Sequence, residues 1–127
     1  MPQGPTGTLG PDGRPTITVR IEGRREPLAC ILDTGFNGKL WVPGDLAEDP
    51  GFEPVGSEYI SLADGSIVVA GIATATIDWF DQPEAITVIV GGTGEPLLGT
   101  GMLAGCRLHV DFVDRTVRVE RVARGSR

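Results

Sequence analysis

An acid, a hydroxyl and a residue without a side chain stand together at Asp33, Thr34 and Gly35, directly after the run Leu28-Ala29-Cys30-Ile31-Leu32. A short apolar run bounded by turn residues reads as a strand covered on both faces. The strand delivers Asp33 to the edge of the core. At such an edge partial desolvation can raise a carboxyl pKa, and a nearby second carboxylate can raise it further. Such a group suits acid–base chemistry. Gly35 and Gly38 bracket Phe36 and Asn37, a backbone that can approach a ligand with no Cβ in the way. Taken alone, an acid-hydroxyl-glycine tripeptide more often marks a turn after a strand.

Two further stretches accompany it. Leu97-Leu98-Gly99-Thr100-Gly101-Met102-Leu103 carries two apolar residues and a glycine into a short helix, and the 59–69 segment has hairpin composition with Ala63, Asp64 and Gly65 at its tip. In this order the three elements resemble the retropepsin-like aspartic peptidases, whose active-site signature is matched by Leu32-Asp33-Thr34-Gly35. The resemblance covers roughly residues 16–122 and is nearest to the small bacterial single-domain members. It implies an all-β, retropepsin-like closed barrel with a flap hairpin and one short helix, and it implies an aspartic endopeptidase.

What the resemblance implies can be given residue by residue. Asp33 activates a water, Thr34 hydrogen-bonds across a twofold axis, and Gly35 offers its carbonyl to an extended polypeptide substrate. Phe36, Asn37, Gly38, Leu98 and Gly99 line the floor, and Ala63, Asp64 and Gly65 close from above. An aspartic peptidase needs two facing aspartates, and the chain has one Asp-Thr-Gly and no Asp-Ser-Gly. The second carboxylate must therefore come from a second copy, so the implied enzyme is a homodimer. No metal and no cofactor is called for. Two departures stand against the pattern: many viral members have an acid and an arginine where this chain has Asn37 and Thr100, and the flap tip holds fewer glycines than theirs. These departures keep open a non-catalytic peptide-binding or dimerisation module on the same fold, and a structural β domain with an accidental tripeptide.

Composition bounds the alternatives. At 127 residues the chain is one domain's worth, too small for two packed lobes. A formal net charge of -6 argues against nucleic acid as a partner. The arginines Arg115, Arg118, Arg121, Arg124 and Arg127 read as a solvated strand face and tail. No apolar run approaches the ~20 residues of a membrane span, so no membrane partner is expected. Cys30 and Cys106 lack zinc-site spacing, and residues 1–15 have no apolar segment of the signal-peptide kind. Buried free thiols in a reducing cytoplasm are the expectation.

The elements that must position the site follow from periodicity. Residues 1–15, rich in Gly and Pro, are expected to stay flexible outside the fold, as are residues 123–127. Strands are expected over 16–22, 28–32 and 39–42, followed by a surface loop over 44–54 with one helical turn near 45–48. A hairpin over 57–78 turns at Asp64-Gly65, with a bulge or bend at Gly71. A turn at 81–83, a strand over 85–90, a helix near 100–106 and a hairpin over 107–122 complete a single domain over 16–122. Trp41 and Trp79 are assigned to the core.

Other motifs fail on context. The run from Gly99 to Ala104 matches a dinucleotide fingerprint, but a nucleotide-binding unit needs a long crossover helix and parallel strands, whereas an antiparallel hairpin follows here. Residues 94–100 lack the lysine of a phosphate loop. His109 lies on the exposed phase of a strand with no nucleophile to serve. Asp78, Asp81, Asp111 and Asp114 lie near turns or on polar phases and read as solvated carboxylates.

Overall fold

A computed structural model describes residues 4–122. Ten strands form one sheet: β1 (Thr6–Leu9), β2 (Pro15–Ile21), β3 (Leu28–Leu32), β4 (Leu40–Val42), β5 (Glu53–Ser61), β6 (Ile67–Trp79), β7 (Gln82–Val90), β8 (Leu97–Leu98), β9 (Cys106–Asp111) and β10 (Thr116–Arg121). The only α-helix among the described residues is α1 (Thr100–Leu103), and one 3-10 turn spans Leu46–Glu48. The strand order is β5-β6-β7-β4-β8-β3-β2-β1-β10-β9, and a further β2–β6 pairing brings distant parts of the sheet back together.

The alternation of β2 places Ile17, Val19 and Ile21 inward, each nearly inaccessible to water. Leu40, Val42, Ile77, Val88 and Leu98 meet them in one apolar cluster. Burying such side chains contributes about 1.5–3 kcal/mol each. No charged or polar side chain is buried among the described residues.

Several expectations are corrected. The 1–15 segment, expected to lie outside the fold, contributes β1, which pairs with both β2 and β10 and buries Leu9. Gly7 makes this possible, because any Cβ there would meet the Thr16 carbonyl oxygen. Beyond β1, Gly13 donates to the Gly10 carbonyl at 2.9 Å in a tight turn. Glycines here let strands approach closely instead of preventing strand formation. Residues 1–3 and 123–127, with Arg124 and Arg127, lie outside the described residues.

The irregularity expected at Gly71 falls instead on β5, between Pro54 and Gly56, while β6 pairs through Gly71 with both its neighbours. The β6–β7 turn is tighter than expected. Phe80 and Asp81 take positive φ of 54° and 60°, and β7 begins at Gln82 with Pro83 inside it. Proline is tolerated there because β4 covers only Val88–Val90, leaving the start of β7 at a sheet edge. The helix stops at Leu103, shorter than expected. Trp79 is core, whereas Trp41 is half-buried. Cys30 is wholly buried and Cys106 only partly, both free thiols. Arg115 is tied to the body, donating to the carbonyls of Leu9 and Gly10.

A candidate active site on a doubly anchored loop

The loop carrying Asp33 leaves the sheet on β3 and returns on β4. Between those strands lies β8, parallel to β3 through Ile31↔Leu97 and Leu32↔Leu98, and antiparallel to β4 through Leu40↔Leu98. Both ends of the loop are therefore fastened to one two-residue strand. Leu98 can occupy that position because it is fully buried between them.

Backbone hydrogen bonds extend the anchorage. The Asp33 N–H donates to the Leu98 carbonyl at 3.0 Å, and the Gly99 N–H donates to the Lys39 carbonyl at 3.1 Å. At the start of α1, the Thr100 and Gly101 N–H groups donate to the carbonyls of Phe36 and Gly38 at 2.8 and 3.0 Å. The loop's carbonyls thus receive the helix's first free N–H groups, which have no partner within the helix. The Thr100 hydroxyl lies 3.4 Å from the Phe36 carbonyl.

Space is as tight as the hydrogen bonding. A Cβ at Gly99 would lie 2.4 Å from the carbonyl oxygens of both Gly38 and Phe36, and one at Gly101 would lie 2.8 Å from the Gly38 oxygen. No side chain fits between the two segments. Gly101 was missed as a site residue by sequence reasoning, although the Gly99-Thr100-Gly101 spacing was visible. Its role is close backbone approach, and the helix it opens is only four residues long. Lys39 was also missed. Its ammonium pairs with Glu84 at 3.5 Å beside the loop, and that partner is fixed only by the parallel pairing of β4 with β7.

The carboxylate itself is half-exposed at the end of β3. One oxygen, Oδ1, accepts from the Gly35 N–H at 2.9 Å, and the Phe36 N–H donates to the Asp33 carbonyl at 3.1 Å. This orients the side chain and leaves Oδ2 without a partner among the described hydrogen bonds. Thr34, Gly35 and Asn37 are exposed on the loop's outer rim, and Phe36 and Gly38 are half-buried. Expected residues from the two stretches, Asp33 to Gly38 and Leu98 to Gly99, are thus brought together.

Ala63, Asp64 and Gly65 lie apart from them at the exposed tip of the β5–β6 hairpin. Asp64 Oδ1 accepts from the Ser66 hydroxyl at 2.6 Å and from its N–H at 2.9 Å, and these bonds hold the Asp64 carboxyl below its usual range. Among the described residues no hydrogen bond joins this tip to the Asp33 loop. No cluster of His, Cys, Asp or Glu able to hold a metal occurs among the described residues. No described helix is long and apolar enough to cross a membrane.

Comparison with solved structures places the fold. The chain is similar to a retropepsin-like aspartic protease from Rickettsia conorii, with a TM-score of 0.61 and 13% identity over 91% of this chain and 89% of that one. At that identity the likeness establishes a retropepsin-like fold. No protein-family profile and no curated protein sequence matches the chain.

Proposed function

We propose that the chain is an aspartic endopeptidase that acts as a homodimer, each subunit supplying one Asp33 to a shared site. The observation that carries this reading is the anchored loop. A carboxylate held at both flanks by β8 and α1, with one oxygen fixed by Gly35 and the other free, suits a group that must meet an identical partner in a set geometry. The fold likeness supports it. In this reading the sheet is a closed barrel, supported by the pairings that run from β6 through β7, β4, β8, β3 and β2 and return to β6. The β5–β6 hairpin is the flap. Free thiols at Cys30 and Cys106 suit a reducing cytoplasm.

The chemistry follows from two acids placed close together. Neighbouring carboxylates do not both ionise at mild pH, so the pair holds one proton and titrates as a unit. The ionised Asp33 accepts a proton from water, whose oxygen attacks the scissile carbonyl carbon. The protonated Asp33 gives its proton to the carbonyl oxygen. Collapse of the tetrahedral intermediate breaks the C–N bond as the amine nitrogen takes a proton, leaving a carboxyl and an amino terminus. The substrate lies extended between loop and flap, bonded as an added strand, and flap closure excludes water.

The test is cleavage of an unstructured peptide library between about pH 4 and 7, where such a dyad works, by wild type and Asp33→Asn, with a statine-type inhibitor as control. Cleavage by wild type alone, blocked by the inhibitor, is the expected result. Peptide binding without cleavage by wild type would favour the non-catalytic module instead. A strictly monomeric protein in sedimentation at assay concentration would remove the shared site altogether.

A further inference from the structure

Beside the loop lies a groove of about 420 Å3 that begins at Gly38 and Lys39 and runs over the outer face of β6 and β7 beneath the base of the β5–β6 hairpin. Its floor is made of two adjacent cross-strand pairs, Ile72↔Ile89 and Thr74↔Thr87. Both isoleucines are half-buried, so the floor is an apolar strip open to solvent.

The two walls differ in charge. On one side the Lys39 ammonium is already neutralised by Glu84 at 3.5 Å. On the other stands Glu58, exposed, with no cationic partner among the described residues. It faces the same way as Ile72, since Glu58 pairs with Ala70, two residues before Ile72 on β6. An apolar strip ending at a lone carboxylate matches a side chain with a long aliphatic stem and a cationic head, which buries the first and keeps the second at the rim.

We propose that this groove is a specificity subsite for an arginine or lysine of the polypeptide substrate, with Glu58 as the selecting residue. The proposal rests on the reading of the Asp33 loop as the floor of an extended-peptide cleft. Because the groove starts at Gly38, a chain lying along the loop passes onto it away from the scissile bond. A homodimer carries two such grooves related by its twofold axis. The basic preference therefore falls at a matched pair of positions, one on each side of the cleaved bond.

Two measurements test this. In the first, wild type and Glu58→Gln cleave a randomised peptide library, and the products are sequenced. Wild type enriches Arg and Lys at the matched positions, and Glu58→Gln lowers the ratio of kcat/KM for a basic over a neutral peptide about fivefold, mainly through KM, as expected for an exposed ion pair. Glu58→Lys turns the preference toward Asp and Glu.

In the second, fluorescence anisotropy follows the same two peptides on Asp33→Asn protein with and without Glu58→Gln. The affinity ratio falls by a similar factor. Cleavage with no basic enrichment, or enrichment that survives Glu58→Gln, overturns the subsite and leaves the peptidase reading standing. Glu58-dependent binding by a protein that cleaves nothing upholds the subsite and overturns the peptidase reading. Loss of both cleavage and Glu58-dependent binding overturns both.

Discussion

The 33–39 loop and the β5–β6 hairpin tip are both connections between strands, yet they are built in opposite ways. The loop is held by backbone bonds from β8 and α1 and packed so closely that Gly99 has no room for a methyl group. The hairpin beyond Ala70 has little cover on either face: Tyr59, Ile67 and Val69 on one and Leu62 and Val68 on the other are exposed, and only Ile60 is half-buried. A segment that must hold an atom in place is over-determined by its neighbours. The hairpin, the flap of the proposed peptidase, keeps only its own two-stranded ladder at the tip, and such ladders are marginal alone in water. In the flap role proposed above, closure would give these exposed apolar faces cover from substrate and partner.

That contrast can be broken at its strongest point first. Asp33→Asn should lower kcat at least about a thousandfold, the scale of losing a central acid–base group, without a measurable change in thermal unfolding. The next effect is structural. Gly99→Ala should destabilise the protein by about 3 kcal/mol or more in urea titration, since its Cβ would overlap two carbonyl oxygens that cannot give way. At the hairpin tip Gly65 has open space but a φ of +87°, so Gly65→Ala should cost only about 1 kcal/mol, the backbone term alone.

Smaller still, Tyr59→Ser should shift unfolding by less than about 0.5 kcal/mol, as usual for exposed positions, and its effect should appear in KM. Amide exchange sharpens the same comparison. The Asp33 N–H, bonded to Leu98, should exchange near the global unfolding limit, while hairpin amides beyond Ala70 exchange through local opening.

A final check concerns the strand beneath the loop. Burial pushes the Cys30 thiol up to about 12, outweighing the opposing pull of Arg24, while the same cause raises the half-buried Cys106. In the native protein Cys30 stays protonated where an unfolded thiol would ionise. Its contribution to stability is thus complete below the unfolded pKa of about 8.5 and is lost as pH rises towards 12. A thiol reagent at mildly alkaline pH should label Cys106 and leave Cys30 untouched until the fold opens. Equal labelling of both would show that the β3 strand is not closed.

Much of the site could be read from the chain alone, because its signals are local. An apolar run cut off by Asp33, two apolar residues ending at Gly99, and Asp64-Gly65 between alternating stretches each declare an element within a few residues. The expected span of β3 and the observed Leu28–Leu32 coincide for this reason. The departures have the opposite origin. Gly7 reads as a strand breaker until a neighbouring strand needs its missing Cβ. Pro83 reads as a turn until β4 proves too short to reach it.

The sequence by itself picked out the candidate residues for the proposed chemistry and most of the turns, since hydrophobic period and backbone permissiveness are properties of neighbours along the chain. Only the tertiary structure decided that β8 lies between β3 and β4, that Gly101 faces the Gly38 carbonyl, and that Glu58, with no cationic partner among the described residues, lies across a groove from a neutralised Lys39. Those relations join residues far apart in the chain. They depend on which strands pair and in what register, and no local pattern encodes that choice.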